Sequence, residues 1–154
     1  MSKKVFIILS SLFILCSIKI TGQEKGTGIG LIIGEPTGLI GKYWLNEINA
    51  VDLALAYSFV GKNSSVSIHS DYLYHKFDIF PSEEKFVLYY GFGVRIRFVN
   101  NDKNSLGARG LAGLSWFNKE YPIDIFLEAA PVFTLLPSTA LNLDLSIGAR
   151  YFFR

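Results

Sequence analysis

From Leu141 to Phe153, hydrophobic and polar residues alternate one for one. Leu141, Leu143, Leu145, Ile147, Ala149, Tyr151 and Phe153 hold one parity, and Asn142, Asp144, Ser146, Gly148, Arg150 and Phe152 the other. A period of two over so long a run predicts a strand with two unlike neighbours. Its length suits a tilted membrane-crossing strand, which needs about 9–11 residues.

The pattern recurs up the chain between turn signals. Gly34–Gly38, Asn46–Asn49, Gly61–Ser64, Pro81–Lys85, Asn100–Asn104, Asn118–Glu120 and Pro137–Thr139 are rich in residues that favour reversals of the backbone. They cut the chain into eight runs. The first, Gly28 to Gly34, is rich in Gly and Ile and decides least. In the second, Leu39, Tyr43 and Leu45 oppose Ile40, Lys42 and Trp44. The third sets Val51, Leu53, Leu55, Tyr57 and Phe59 against Asp52, Ala54, Ala56 and Ser58. The fourth sets Val66, Ile68, Tyr72 and Tyr74 against Ser67, His69, Asp71, Leu73 and His75. The fifth is among the cleanest, with Phe86, Leu88, Tyr90, Phe92, Val94, Ile96 and Phe98 opposite Val87, Tyr89, Gly91, Gly93, Arg95 and Arg97. Leu106, Ala108, Ala112, Leu114 and Trp116 of the sixth oppose Gly107, Arg109, Gly113 and Ser115. In the seventh, Ile123, Ile125, Leu127, Ala129 and Phe133 oppose Asp124, Phe126, Glu128 and Thr134. No sustained i, i+3, i+4 stripe competes.

The outward face is assigned by apolar content alone, so the charges test it independently. Lys42, Arg95, Arg97, Arg109 and Arg150, with Asp52, Asp71, Asp124, Glu128 and Asp144, all fall on the other face. Unpaired buried charge is very costly, so a balanced set suits a narrow, closed lumen. The reading is an all-β, eight-stranded, antiparallel up-and-down transmembrane barrel. Trp44 and Leu73 break the polar rule of the lumen and fill space. The competing reading is a soluble, lipocalin-like carrier of an apolar ligand, with the faces reversed. It would crowd at least seven large aromatics into one cavity and put few Lys and Glu on the exposed strands.

Composition adds an export signal. Lys3 and Lys4 precede an apolar run from Val5 to Ile18, too short to span a bilayer as a helix. Residues 1–22 are therefore expected to be a cleavable signal peptide, and 23–154 the barrel domain. Losing Lys3, Lys4 and Lys19 takes three from the 15 Lys+Arg and leaves 12 against 13 Asp+Glu. The basic balance belongs to the leader, and no nucleic-acid partner is expected. Cys16, the one cysteine, lies in the leader, with Leu15 where a lipoprotein site wants a small residue. No disulfide or thiol chemistry is left to the mature chain.

Ser146, Gly148, Tyr151 and Phe153 resemble the C-terminal assembly signal of outer-membrane barrels, although Arg154 follows the final aromatic. The resemblance implies recognition by the barrel-assembly machinery. Gly34–Leu39 with Gly41–Trp44, Asp71–His75 and Gly148–Phe152 resemble a family of small bacterial outer-membrane barrels, of the OmpA/OmpX-like eight-stranded kind, with spirochaetal members. That implies fold, location in the cell outer membrane and contact with its lipids. It carries no catalytic role.

Candidate chemistry is sparse. His69, Asp71 and His75 share a parity, so His69 with Asp71 could handle a proton, or the histidines could hold a metal. Membership of an internal polar network is the simpler reading. A lipid-modifying enzyme would need its nucleophile within reach of lipid, where only Ser70 offers a hydroxyl. Gly26-Thr27-Gly28-Ile29-Gly30 has no helix after it and reads as lumen glycine, not a phosphate loop. No catalytic residue, metal or cofactor is expected. An eight-stranded interior is filled by its own side chains, which argues against a nutrient pore. The loops near Glu35-Pro36, Lys62-Asn63, Asn101-Asp102 and Pro137-Ser138 are short, against the roughly 800 Å² that a specific partner buries per side. A monomer with a plugged lumen, in a structural or weak surface-interaction role, is the expected protein.

Overall fold

A computed structural model describes residues 26–58, 64–100 and 102–153. The expected signal peptide with Cys16, Phe59, the break at 61–63, Asn101 and Arg154 lie outside the described residues.

Eight strands follow one another in chain order: β1 (Thr27–Glu35), β2 (Thr37–Trp44), β3 (Asn49–Ser58), β4 (Ser65–Lys76), β5 (Lys85–Val99), β6 (Ser105–Phe117), β7 (Ile123–Leu136) and β8 (Ala140–Phe153). Each pairs antiparallel with the next, and β1 pairs with β8 from Thr27–Phe153 to Glu35–Leu145. The sheet is thereby a closed barrel with no free edge. Closure lets strand backbone polar groups bond within the wall, as a strand needs in a medium without water. One ladder is interrupted. On β6–β7, Arg109 registers with Val132 and then Ala112 with Ala129, a gap at Pro131, which has no N–H to give.

The parity read from the sequence is the parity of the wall. Along β3, Asp52, Ala54, Ala56 and Ser58 are buried while Leu53, Leu55 and Tyr57 are exposed. Along β8, Asp144, Ser146, Gly148, Arg150 and Phe152 are buried between exposed Leu143, Leu145, Ile147, Ala149, Tyr151 and Phe153. β1 joins the scheme, with Ile29, Leu31 and Ile33 outward and Gly28 and Ile32 buried. Trp44 and Leu73 are buried with the interior set. The reversed faces that a lipocalin-like carrier needs are not those of this barrel.

The wall differs from expectation at two rims. The Gly34–Gly38 break is tighter than its composition implies, because only Pro36 separates β1 from β2. Conversely, the connection between β4 and β5 runs from Phe77 to Glu84, and Lys85 already belongs to β5.

Candidate functional site: the charged interior

Arg109 on β6 is the hub of the interior. Its Nε donates to Asp71 Oδ2 at 2.9 Å, its Nη1 to Asp144 Oδ2 at 2.9 Å, and its Nη2 to Glu128 Oε1. Three carboxylates from β4, β7 and β8 thus share one planar guanidinium, whose fork suits multiple carboxylates better than an ammonium would. Asp144 also accepts Arg95 Nη1, at 2.8 Å to Oδ1 and 2.6 Å to Oδ2. Glu128 accepts the Tyr89 hydroxyl at 2.9 Å. All of these side chains are buried.

Towards the end of the barrel that holds both termini, Arg150 and Asp124 form a separate two-pronged pair. Nε donates to Oδ1 at 2.9 Å and Nη2 to Oδ2 at 2.7 Å. The Phe126 ring lies 4.1 Å from the guanidinium carbon. Lys42 points elsewhere: its Nζ donates to His75 Nε2 at 2.7 Å and stands 4.6 Å from the centre of the Trp44 ring. His75 Nδ1 lies 3.0 Å from the Ile48 carbonyl, which only accepts. His75 therefore carries its proton on Nδ1 and accepts the hydrogen bond from Lys42 on Nε2.

Space for these groups comes from glycines on the inward parity. A Cβ on Gly113 would stand 2.3 Å from the Tyr89 ring. Tyr89 therefore lies flat across β6, where its hydroxyl meets Glu128.

Of the ten strand charges named from the sequence, Lys42, Asp52, Asp71, Arg95, Arg109, Asp124, Glu128, Asp144 and Arg150 are buried, and Arg97 is partly so. Asp52 stands apart. It registers with Lys42 on one side and Asp71 on the other, yet its Oδ1 accepts no hydrogen bond among the described residues. Glu35 is a residue the pattern did not flag. Gly34 has φ 140°, a conformation open to glycine, and the alternation lapses there. Glu35, outward by parity, accepts the Ser58 hydroxyl and lies 3.9 Å from Arg97 Nη2.

The other candidates are placed as follows. His69 Nε2 is 3.9 Å from Asp71 Oδ2, beyond hydrogen-bond reach, while Arg109 holds that oxygen. Among the described residues no group of three ligating side chains is arranged to hold a metal. The Ser70 hydroxyl is engaged in the wall, donating to the Asp52 carbonyl at 3.0 Å. In the terminal strand, Ser146 and Gly148 face inward, while Tyr151 and Phe153 face outward, edge to face at 5.0 Å.

No protein-family model and no curated protein matches the chain. Solved structures do. The N-terminal β-barrel domain of Pseudomonas aeruginosa OprF superposes with a TM-score of 0.56 at 15% identity, covering 82% of this chain and 96% of that one. This chain has the fold of a small outer-membrane barrel. Neisserial surface protein A (NspA) agrees, with a TM-score of 0.52 at 15% identity over 82% of this chain and 93% of that one.

Proposed function

We propose that this chain is an integral outer-membrane barrel, exported through its first 22 residues, monomeric and non-catalytic, with a lumen plugged by its own side chains. Its role is structural or a weak surface interaction. The inverted wall carries this reading: Leu141 is 73% exposed and Leu127 61%, whereas Arg150 is 1% and Asp124 0%. Soluble proteins keep charges outside and large apolar groups mostly inside. A wall with the opposite distribution matches a solvent of hydrocarbon. Inside, Arg109 and its carboxylates, Arg95, Tyr89 and Leu73 stand across a bore that eight strands leave only wide enough for side chains. A nutrient pore is therefore not part of the proposal.

The terminal strand, ending in Tyr151 and Phe153, is proposed as the segment read by the barrel-assembly machinery. Kinship with the small spirochaetal-type barrels, drawn from Gly34–Leu39, Gly41–Trp44, Asp71–His75 and Gly148–Phe152, belongs to the same proposal.

Cell fractionation tests it. The protein is expected in the outer-membrane fraction, resistant to alkaline extraction, with gel mobility that changes on heating. Recovery as a soluble periplasmic protein would overturn the proposal. Altered outer-membrane lipids in a deletion strain, seen by mass spectrometry, would instead favour a lipid-modifying enzyme.

A further inference from the structure

We propose that the β4–β5 connection, residues 77–84, is a lipid anchor that crosses the barrel rim and seats Ile79 and Phe80 in the headgroup–acyl boundary. The leaflet is the one at the end holding the termini, and the inference rests on the membrane reading above. Phe77 turns inward, its ring 6.4 Å from those of Trp44 and His75. Three residues later Phe80 is outside, edge-on to Phe86 of the outer wall at 6.3 Å. Between them Asp78 adopts φ 56°, which reverses the chain. The segment thus straddles the rim.

Its outer limb is held in place. Ser82 N–H donates to the Phe80 carbonyl at 2.9 Å, and Glu84 N–H to Ser82 Oγ at 3.1 Å. Trp116 Nε1 on the neighbouring strand donates to Glu84 Oε2 at 2.9 Å. Yet Ile79 stays 41% exposed and Phe80 46%. In water this arrangement would display two large apolar side chains on a connection, at a cost that interfacial lipid removes.

The wall beneath continues the same chemistry. Tyr74 and Tyr90 stack at 5.6 Å, Lys76 Nζ lies 5.7 Å from the Tyr90 ring centre, and Trp116 is adjacent. Tyr, Trp and Lys are the residues that settle at headgroup level. Leu45, Ile48 and Tyr121 on the other connections of this end are also exposed. At the opposite end, the described connecting residues Pro36, Ser64, Asn100, Asp102–Asn104 and Pro137–Thr139 include no large hydrophobic side chain. Among the described connecting residues, large apolar side chains are therefore gathered at the end that holds the termini.

Depth-dependent quenching decides the matter. The full chain, Phe80→Trp and Leu127→Trp are folded into phosphatidylcholine vesicles brominated either near the headgroup or near the chain end. Folding is checked by heat-modifiable mobility, and Ile79→Trp is read in the same way should Phe80→Trp not fold. The fluorescence added by Phe80→Trp is expected to be quenched most by the shallow bromine, and that added by Leu127→Trp most by the deep bromine. Quenching at 127 with none at 80 overturns the anchor and leaves the membrane reading standing. Quenching at 80 that is strongest from the deep bromine overturns the interfacial position. No quenching at either position overturns both.

Discussion

Asp144 and Leu145 are neighbours in β8 and face opposite sides of the barrel wall. Asp144 is 3% exposed and accepts hydrogen bonds from Arg95 and Arg109; Leu145 is 55% exposed on a wall of aliphatic and aromatic groups. One pleat separates them. Inside, each residue is defined by particular partners at hydrogen-bond distance. Outside, a residue need only be apolar. The interior should therefore be intolerant of changes that keep size and lose a partner, and the exterior intolerant only of changes in polarity.

The largest effect is expected from Arg109→Met, which keeps the volume and removes the hub. Asp71 and Glu128 lose their guanidinium and Asp144 keeps only Arg95. Breaking a buried pair from one side costs about 3–5 kcal/mol, and unfolding in lipid by urea should read a loss of that size. An unchanged midpoint would mean that these charges are not confined as the hydrogen bonds imply. Leu145→Arg, on the other side of the same wall, should cost about 2–4 kcal/mol near the bilayer midplane, measured by the same refolding. No loss there would reverse the face assignment.

Two glycines sharpen the contrast further. Gly113 faces inward beneath Tyr89, and Gly113→Ala should cost about 1–3 kcal/mol as the ring is driven off its seat over Glu128. Gly41 faces outward, where a Cβ would meet nothing nearer than 3.8 Å. Gly41→Ala should then stay within about 0.5 kcal/mol of the parent in the same unfolding assay. Equal costs at the two positions would break the comparison. A similarly small effect is expected at the rim: Arg97→Ala removes a 3.9 Å, partly solvated contact with Glu35 and should cost about 0–1 kcal/mol. A larger loss would show that the rim pair is as confined as the hub.

The parity of the strands was legible in the sequence because burial in a sheet repeats every two residues, whatever the neighbouring strand. Placing Asp52, Arg109 and Arg150 on one face needed nothing more. Their partners were not legible. Lys42 meets His75 across β3, and Arg109 gathers carboxylates from three strands, because tilt and closure bring distant positions to one height in the bore. Neither relation has a local signal. Glu35 escaped notice because its setting, Gly-Glu-Pro-Thr-Gly, reads as a turn, and the glycine before it ends the alternation that would have placed it. The five-residue signal at Pro81–Lys85 marked only half of the β4–β5 connection, since Phe77, Ile79 and Phe80 look like strand residues until their rim geometry is seen.

The central claim is that adjacent residues of one strand face lipid and lumen in turn. Solid-state NMR of the labelled barrel in bilayers reads this directly, by magnetisation transfer from acyl chains to each residue of β8. Transfer is expected to Leu143, Leu145 and Ile147 and to fall away at Asp144, Ser146 and Arg150. Transfer that is uniform along the strand, or strongest at Asp144 and Arg150, would contradict it.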